Sequence, residues 1–195
     1  MSVADKQALI TELETLVAPK NSTVAGTKTS SPAKFMVGPA SLAISQDTNL
    51  SLCTYPLGAC LGIAIYDAKA KVGGLLHSLL PSSNLDPQRA LACPGMFIDT
   101  GLAALLAAAH KLNATKENIR ICVAGAAQIM DEMMFFNVGK SNYDMLNEML
   151  PQLDMKVHAE HTGGRNSCSM ELVLADGEVR LKFCGQPTAR ILCKL

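Results

Sequence analysis

The chain has 195 residues, of which 17 are basic and 17 acidic, so its formal net charge is zero. No run of Lys or Arg stands out, which makes nucleic acid and anionic membrane surfaces poor partners. The N-terminus carries no apolar signal region, and no apolar run reaches the roughly 18 residues that a membrane-spanning helix needs. We therefore expect one globular domain with an extension, located in the cytoplasm and not inserted in a membrane.

The seven cysteines are spread along the chain, and none forms a CxxC or CxH pair. An odd number, with several in apolar strand-like runs, favours free thiols in a reducing compartment over a disulfide scaffold or a zinc site. His158 and His161 do not suggest a metal site, because residues three apart in a strand face opposite sides of the sheet. We expect no metal and no cofactor.

The N-terminal arm, residues 1–33, is predicted to be separate from the folded domain at residues 34–195. Leucines at helical spacing between residues 4 and 17 predict an amphipathic helix. Residues 19–32 are rich in Ser, Thr, Gly and Lys, which is typical of a flexible linker. The arm is either a mobile tail or a segment that docks on the domain or on a partner.

A β-hairpin is the clearest local pattern in the chain. Residues 60–66 alternate and are rich in β-branched side chains, a polar turn follows, and residues 72–80 run back. A tight turn pairs Gly62 with His77. His77 is then the diagonal neighbour of Cys60 on one face, with Cβ atoms roughly 7–8 Å apart or somewhat less. A slip of one residue would place the two on opposite faces.

The turn that precedes the hairpin contains Pro56, which fixes one φ, and Gly58, which permits a left-handed one. Such a turn can present the backbone N–H of Cys60 outward, as a candidate oxyanion donor. A thiol and the imidazole of His77 at one place suggest nucleophilic catalysis, with the imidazole taking the thiol proton. From these residue types alone, a buried structural cysteine beside an unrelated histidine remains the alternative.

The remaining chain predicts further strands and two main helices. Residues 82–94 are predicted as a polar loop, residues 94–113 as the longest helix, beginning at Pro94, and residues 141–150 as a second helix capped by Ser141. The predicted strands that follow the first helix are residues 120–124, residues 156–160 and a final hairpin between residues 168 and 184.

The order of these motifs resembles the chemoreceptor glutamine deamidase family CheD. The matching residues are Thr54, Leu57-Gly58-Ala59-Cys60, Tyr66-Asp67, Gly73-Gly74, His77 and Leu80-Pro81, followed by the weaker matches Asp99-Thr100 and Thr162-Gly163-Gly164. The chain departs from the family pattern at Ala59, where Ser is usual, and at His161, where Asp is common. The resemblance covers about residues 35–184.

The resemblance implies an α/β domain in which mostly antiparallel β-sheets are layered against two main helices, as an α/β/β sandwich. It implies hydrolysis of glutamine side chains on methyl-accepting chemotaxis receptors through a thioester, with Cys60 as nucleophile, His77 as base and Thr54 as the residue that orients His77. The expected substrate contacts are Gly58, Ala59, Ser78, Thr162, Gly163 and Gly164. A CheC-type phosphatase acting on CheY is the expected further partner.

Two other functions stay open at this point. A chain that kept the fold and lost catalysis would be a regulator that binds a CheC-type phosphatase or a receptor. A different cysteine amidohydrolase, acting on small substrates, is the third hypothesis. The polar loops at residues 82–87 and 162–166 offer no deep apolar pocket, which favours a glutamine carried by a protein over free glutamine.

Overall fold

The computed structural model describes residues 32–128 and 137–195, and these form a single α/β domain. The predicted N-terminal helix and almost all of the linker lie outside the described residues. The strands are β1 (Ala33–Val37), β2 (Ser41–Ser45), β3 (Leu50–Thr54), β4 (Leu61–Asp67), β5 (Val72–Ser78), β6 (Ile119–Gly125), β7 (Ala159–Thr162), β8 (Cys168–Val173), β9 (Glu178–Phe183) and β10 (Arg190–Lys194). The α-helices are α1 (Pro87–Ala92), α2 (Ile98–Lys111) and α3 (Val138–Gln152).

The strands form two sheets of five. The central sheet has the order β2-β5-β4-β6-β7, and the outer sheet has the order β1-β3-β8-β9-β10. The pairs β1 with β3 and β6 with β7 are parallel. The other strand pairs are antiparallel, so the expected mostly antiparallel architecture is confirmed.

Two apolar cores divide the domain into three layers. On the central sheet, Ile63 and Leu76 belong to the core that α2 and α3 cover, together with Leu102 of α2. Their chain neighbours Ala64 and Leu75 point to the other face and pack against the outer sheet. Because both faces are covered, every residue of β4 and β5 is buried, which explains their nearly continuous apolar sequence. The predicted α/β/β sandwich is confirmed.

The central hairpin has the register predicted from the sequence. β4 and β5 pair over their whole length, with Asp67 opposite Val72 and Gly62 opposite His77. The side-chain period of two along each strand and the short turn between the strands are local properties, and together they select one register.

Asp67 holds the turn end of this hairpin. Its Oδ1 atom accepts hydrogen bonds from the N–H groups of Lys69 and Ala70, at 2.9 and 3.0 Å, and its Oδ2 atom accepts one from Thr115 at 3.0 Å. Burial acts to raise the pKa of the Asp67 carboxyl, but these hydrogen bonds outweigh it and the pKa is lowered. The carboxylate is therefore ionised and ties the hairpin to the loop after α2.

The helices begin and end elsewhere than the sequence predicted. Residues 82–94, predicted as a loop, contain α1, and Pro94 begins only a single 3-10 turn that ends at Met96. Phe97 then takes an extended conformation, with φ −113° and ψ 144°, so α2 cannot begin before Ile98. Among the residues that the structure describes, the longest helix is α3, with 15 residues against 14 in α2.

The predicted cap of α3 was also wrong. Asn137 is the N-cap, and its side chain accepts a hydrogen bond from the N–H of Lys140 at 2.9 Å. Ser141 therefore lies inside the helix, one turn after its start. The strand predicted at residues 156–160 is found at Ala159–Thr162. Within residues 32–128 and 137–195, no helix is long and apolar enough to cross a membrane.

Candidate active site

One end of the sandwich collects the predicted site residues. In the central sheet, Leu61 at the start of β4 lies between Ser78 of β5 and Gly125 of β6. β7 ends beside them, with Thr162 opposite Gly125. In the outer sheet, β3 ends at Thr54, next to the end of β1. The strand pairing therefore brings segments far apart in sequence to a common edge.

His77 and Thr54 both face the space between the two sheets. On β5, Leu75 packs into the core between the sheets, and His77 shares that face because it lies two residues further. On β3, Leu52 packs into the same core, so Thr54 faces it too. The exposed fractions of His77 and Thr54 are 1% and 2%. The imidazole and the hydroxyl thus lie in the same layer of the protein.

Cys60 lies one residue before β4 and is half-buried. His77 is opposite Gly62, so the register that the predicted diagonal relation requires is present, and the approach of Cys60 to His77 stays a prediction. A Cβ atom at Gly62 would come 2.7 Å from the side chain of Leu57. Leu57 therefore covers Gly62 directly, and a glycine here lets the Cys60 turn fold back onto the sheet.

The carbonyl groups of the Cys60 turn are bound by the scaffold behind it. Three consecutive carbonyls accept hydrogen bonds: Gly58 from the Ala127 N–H at 2.8 Å, Ala59 from the Asn142 side chain at 3.0 Å, and Cys60 from the Ala126 N–H at 2.7 Å. In a planar trans peptide the N–H points away from the preceding carbonyl. The N–H of Cys60 is therefore directed away from the helix that carries Asn142.

The thiol and the imidazole are both uncharged at neutral pH. Burial raises the pKa of Cys60 above its ordinary value of 9.0, opposed only by the residue's own backbone N–H. Burial also lowers the pKa of His77 below 6.5, opposed by the carbonyl of Val37. A neutral imidazole can accept a proton, so the pair suits general-base activation of the thiol during attack.

The surroundings of His77 differ from the predicted arrangement. Among the described residues, neither ring nitrogen has a hydrogen-bond partner. The Val37 carbonyl lies near enough to favour the protonated ring, although it does not meet hydrogen-bond geometry. The hydroxyl of Thr54 accepts a hydrogen bond from the Met170 N–H at 3.0 Å, which leaves its own proton to donate. Contact of Thr54 with His77 stays a prediction.

The predicted substrate contacts occupy different environments. Ser78 is fully buried on the helix side of the central sheet, where its hydroxyl donates to the Met96 carbonyl at 3.0 Å. Ser78 therefore has a structural hydrogen bond and faces away from His77. Gly58 and Ala59 contribute carbonyls to the scaffold bonds already described. None of these three offers a free side-chain donor to a substrate.

The Thr162-Gly163-Gly164 turn lies on the same edge of the central sheet. The N–H of Gly163 donates to the Gly125 carbonyl at 2.9 Å. Gly163 follows β7, which lies two strands from β4 in the central sheet, so the turn is about 10 Å from Cys60 at the usual strand spacing. Gly163 and Gly164 have φ values of 77° and 71°, and a Cβ atom on either would meet nothing within 4 Å. The turn is therefore open to a substrate that approaches along this edge.

Other motifs singled out from the sequence have structural roles. The carboxylate of Asp99 accepts hydrogen bonds from the N–H and hydroxyl of Ser83, and Thr100 donates to the Pro94 carbonyl at 2.7 Å. His158 accepts from the Ile121 N–H at 3.0 Å, whereas His161 packs edge-on against Phe183 with ring centroids 4.9 Å apart. The two histidines thus have separate partners.

Sequence reasoning missed two groups at the site, the Val37 carbonyl and the Asn142 side chain. A backbone carbonyl leaves no signal in a sequence. Asn142 does leave one, because it interrupts the buried stripe of α3 formed with Leu146 and Leu150. A polar residue at an apolar position of an amphipathic helix needs a hydrogen-bond partner, so it indicates a specific contact.

Comparisons with known proteins identify the family of this chain. The family model for CheD chemotactic sensory transduction matches residues 79–183, beginning just after His77. A relative from Syntrophus aciditrophicus (strain SB), "Probable chemoreceptor glutamine deamidase CheD 1", is 40% identical over 144 residues, which covers 74% of this chain and 90% of that protein. The corresponding CheD of Solibacter usitatus (strain Ellin6076) is 35% identical over 153 residues, covering 78% of this chain and 90% of the relative.

A third relative, the "Probable chemoreceptor glutamine deamidase CheD" of Pyrococcus horikoshii, is 35% identical over 148 residues, covering 75% of this chain and 90% of the relative. The solved structure of the Neisseria meningitidis protein NMB0706 is 10% identical, covers 58% of this chain and 38% of that one, and has a TM-score of 0.30, too low to support an argument. The model match spans more than half of the 195 residues and the relatives cover about three quarters, so this chain belongs to the CheD family.

Proposed function

We propose that this protein hydrolyses glutamine side-chain amides of methyl-accepting chemotaxis receptors to glutamate and releases ammonia. The observation that supports the proposal is the hairpin register, which sets His77 opposite Gly62, two residues after Cys60. Relatives that cover about three quarters of the chain bear the name chemoreceptor glutamine deamidase, and this name supplies the substrate class.

In the proposed first half-reaction, Cys60 is the nucleophile and His77 is the base. Neutral His77 takes the thiol proton as the sulfur attacks the amide carbon, and the N–H of Cys60 stabilises the oxyanion that forms. The imidazolium then gives its proton to the amide nitrogen. The carbon–nitrogen bond breaks, ammonia leaves, and a thioester to Cys60 remains.

Water completes the proposed cycle. His77 takes a proton from water, and the resulting hydroxide attacks the thioester carbon. When the carbon–sulfur bond breaks, glutamate leaves and the sulfur recovers its proton from His77. One amide and one water are thus converted to one carboxylic acid, which ionises to the carboxylate, and one ammonia, without a metal or a redox cofactor. In this scheme Thr54 orients His77, and the nearby carbonyl of Val37 favours the protonated form of the imidazole.

We favour a protein-borne glutamine over free glutamine. The open Thr162-Gly163-Gly164 turn flanks the Cys60 edge and offers backbone groups along an extended surface. We also place the reaction in the cytoplasm, where the seven free thiols would stay reduced. A CheC-type phosphatase is proposed as a second partner on the family resemblance.

The direct test is mass spectrometry of receptor signalling domains incubated with the protein. We expect wild type to convert specific receptor glutamines to glutamates, and Cys60→Ala to convert none. Cys184→Ala, which removes an exposed thiol, is the matched control and should keep full activity. Unchanged activity of Cys60→Ala would refute the mechanism. Turnover of free glutamine without receptor modification would favour a small-molecule amidohydrolase, and a folded but inactive wild type would favour a regulator.

A further inference from the structure

Asn142 is a polar side chain buried in the apolar face of α3. Its exposed fraction is 0%, and it lies between Gly139 and Leu146, which are also buried. The Nδ2 group donates to the carbonyls of Ala59 and Leu79, each at 3.0 Å. A side-chain amide carries two N–H donors, so both are used. Among the described residues, the Oδ1 atom has no partner.

The two carbonyls that Asn142 binds belong to the two segments of the candidate active site. Ala59 directly precedes Cys60, and Leu79 follows His77 by two residues. One side chain therefore joins the turn that carries the thiol to the strand end that carries the imidazole. Neither segment is close to Asn142 in sequence, since the separations are 83 and 63 residues.

Gly139 explains how a short side chain reaches both carbonyls. A Cβ atom at Gly139 would lie 2.7 Å from the carbonyl oxygen of Ala126, so α3 approaches the end of β6 more closely than any other residue type would allow. The N–H of Ala126 in turn binds the Cys60 carbonyl. The first turn of α3 is thus packed against the backbone that supports the Cys60 turn.

The contact with Ala59 determines the direction of one peptide group. The described residues contain no cis peptide bond, so the Cys60 N–H points opposite to the Ala59 carbonyl. Since that carbonyl points to α3, the N–H points away from the helix layer, to the side of the central sheet that His77 faces. The neighbouring carbonyls of Gly58 and Cys60 are bound by backbone groups and do not depend on Asn142.

We propose that Asn142 is a positioning residue that keeps the Ala59–Cys60 peptide oriented with its N–H, the oxyanion donor, towards the reacting atoms. Without the amide of Asn142, this peptide is free to rotate and turn its carbonyl into the site, where it would repel the oxyanion. The inference rests on the proposed deamidase function. In this inference Asn142 acts on the stabilisation of the transition state. The positions of the thiol and the imidazole are set by the hairpin and do not depend on Asn142.

The test compares two reactions of Cys60 in Asn142→Ala. Deamidation passes through an oxyanion, whereas alkylation of the thiol by iodoacetamide does not. We expect kcat for receptor deamidation to fall about ten- to a hundredfold, since loss of one oxyanion donor costs on the order of 10²–10³ in kcat where the donor is removed outright. We expect KM for the receptor and the rate of Cys60 alkylation, followed by peptide mapping, to stay within about threefold of wild type.

Asp67→Asn is the matched control, because Asp67 is equally buried and holds the opposite end of the same hairpin. It should lower the melting temperature and leave kcat unchanged in the folded protein. If Asn142→Ala shows no cooperative melt, the rates of deamidation and alkylation are compared in Asn142→Ser instead. Ser keeps one hydrogen-bond donor, so a smaller loss of kcat is expected.

Two results would overturn the inference. Wild-type kcat in a folded Asn142→Ala protein would show that the peptide does not need this amide. An equal fall in alkylation and deamidation would show that Asn142 places the thiol and not the oxyanion donor. An inactive wild type, by contrast, would refute the proposed function itself, so the two failures are distinguishable.

Discussion

Replacing Thr54 with Val removes one hydroxyl from the layer that contains His77 and preserves the shape of the side chain. The hydroxyl oxygen accepts the Met170 N–H at 3.0 Å. The last paired residues of β3 and β8 are Cys53 and Glu171, so the Thr54 side chain takes the place of the next ladder hydrogen bond. In Thr54→Val, the Met170 N–H is buried without its acceptor.

The stability cost follows from that unpaired donor. A buried N–H without a partner costs about 1–3 kcal/mol. For a domain of this size, each kcal/mol lowers the melting temperature by roughly 2–4 °C. Circular dichroism should therefore show a cooperative transition of Thr54→Val roughly 2–12 °C below that of wild type. Thr54→Ser keeps the hydroxyl and should recover most of the difference.

Activity separates the two roles of the hydroxyl. If its proton orients His77, kcat for receptor deamidation should fall about tenfold in Thr54→Val, since a misplaced base loses part of the 10²–10⁴-fold contribution of general-base catalysis. Assays run well below the melting transition keep stability out of the comparison. Lower stability with wild-type kcat would show that Thr54 serves only Met170. Unchanged stability would refute the hydrogen-bond argument.

Four further predictions follow from the structure. The kcat/KM of wild type should decrease as pH is lowered, with an apparent pKa below 6.5. The reason is that burial lowers the pKa of His77 and only the neutral ring takes the thiol proton. An apparent pKa above 6.5 in the pH–rate profile would contradict this. The same shift should reduce stability as pH falls through 6.5, because the unfolded chain then binds a proton that the buried ring does not; His77→Gln should weaken this dependence to the part contributed by His158, whose pKa burial also lowers. Mild iodoacetamide at neutral pH should label Cys184 and Cys193 before Cys60. Cys184 is exposed and a neighbouring thiol lowers the pKa of Cys193, whereas burial raises the pKa of Cys60. Peptide mapping that finds Cys60 labelled first would mean that the resting site already activates its thiol. Deleting residues 1–31 should leave a folded and active enzyme, because β1 begins at Ala33 inside the described domain, and loss of a cooperative melt would place the arm in the core.

The local features of the site were predictable from the sequence. The alternation of residues 60–66, the returning run of residues 72–80 and the short turn between them predicted a hairpin with Gly62 opposite His77, and that register is present. The order of short motifs from Thr54 to Pro81 was sufficient to indicate the family. These properties depend on residues close together in the chain, where propensity and side-chain period act directly.

Helix boundaries were predicted less well, because several residues compete for each end. Ser141 is a good N-cap residue, but Asn137 binds the N–H of Lys140 first and starts the helix earlier. Pro94 is a favoured first helical residue, but the chain becomes extended at Phe97 before α2 begins. Which candidate caps a helix depends on the backbone path that packing imposes, and the sequence does not contain that path.

The sequence by itself determined the hairpin, the pairing of Gly62 with His77 across it, and the three-layer architecture that the family resemblance implied. Only the tertiary structure decided which groups surround them. Met170 reaches Thr54 across 116 residues of chain and Asn142 reaches Ala59 across 83. The burial that shifts the pKa values of Cys60 and His77 arises from both sheets together. Such contacts depend on how sheets and helices pack, and desolvation and hydrogen-bond partners exist only once that packing has formed.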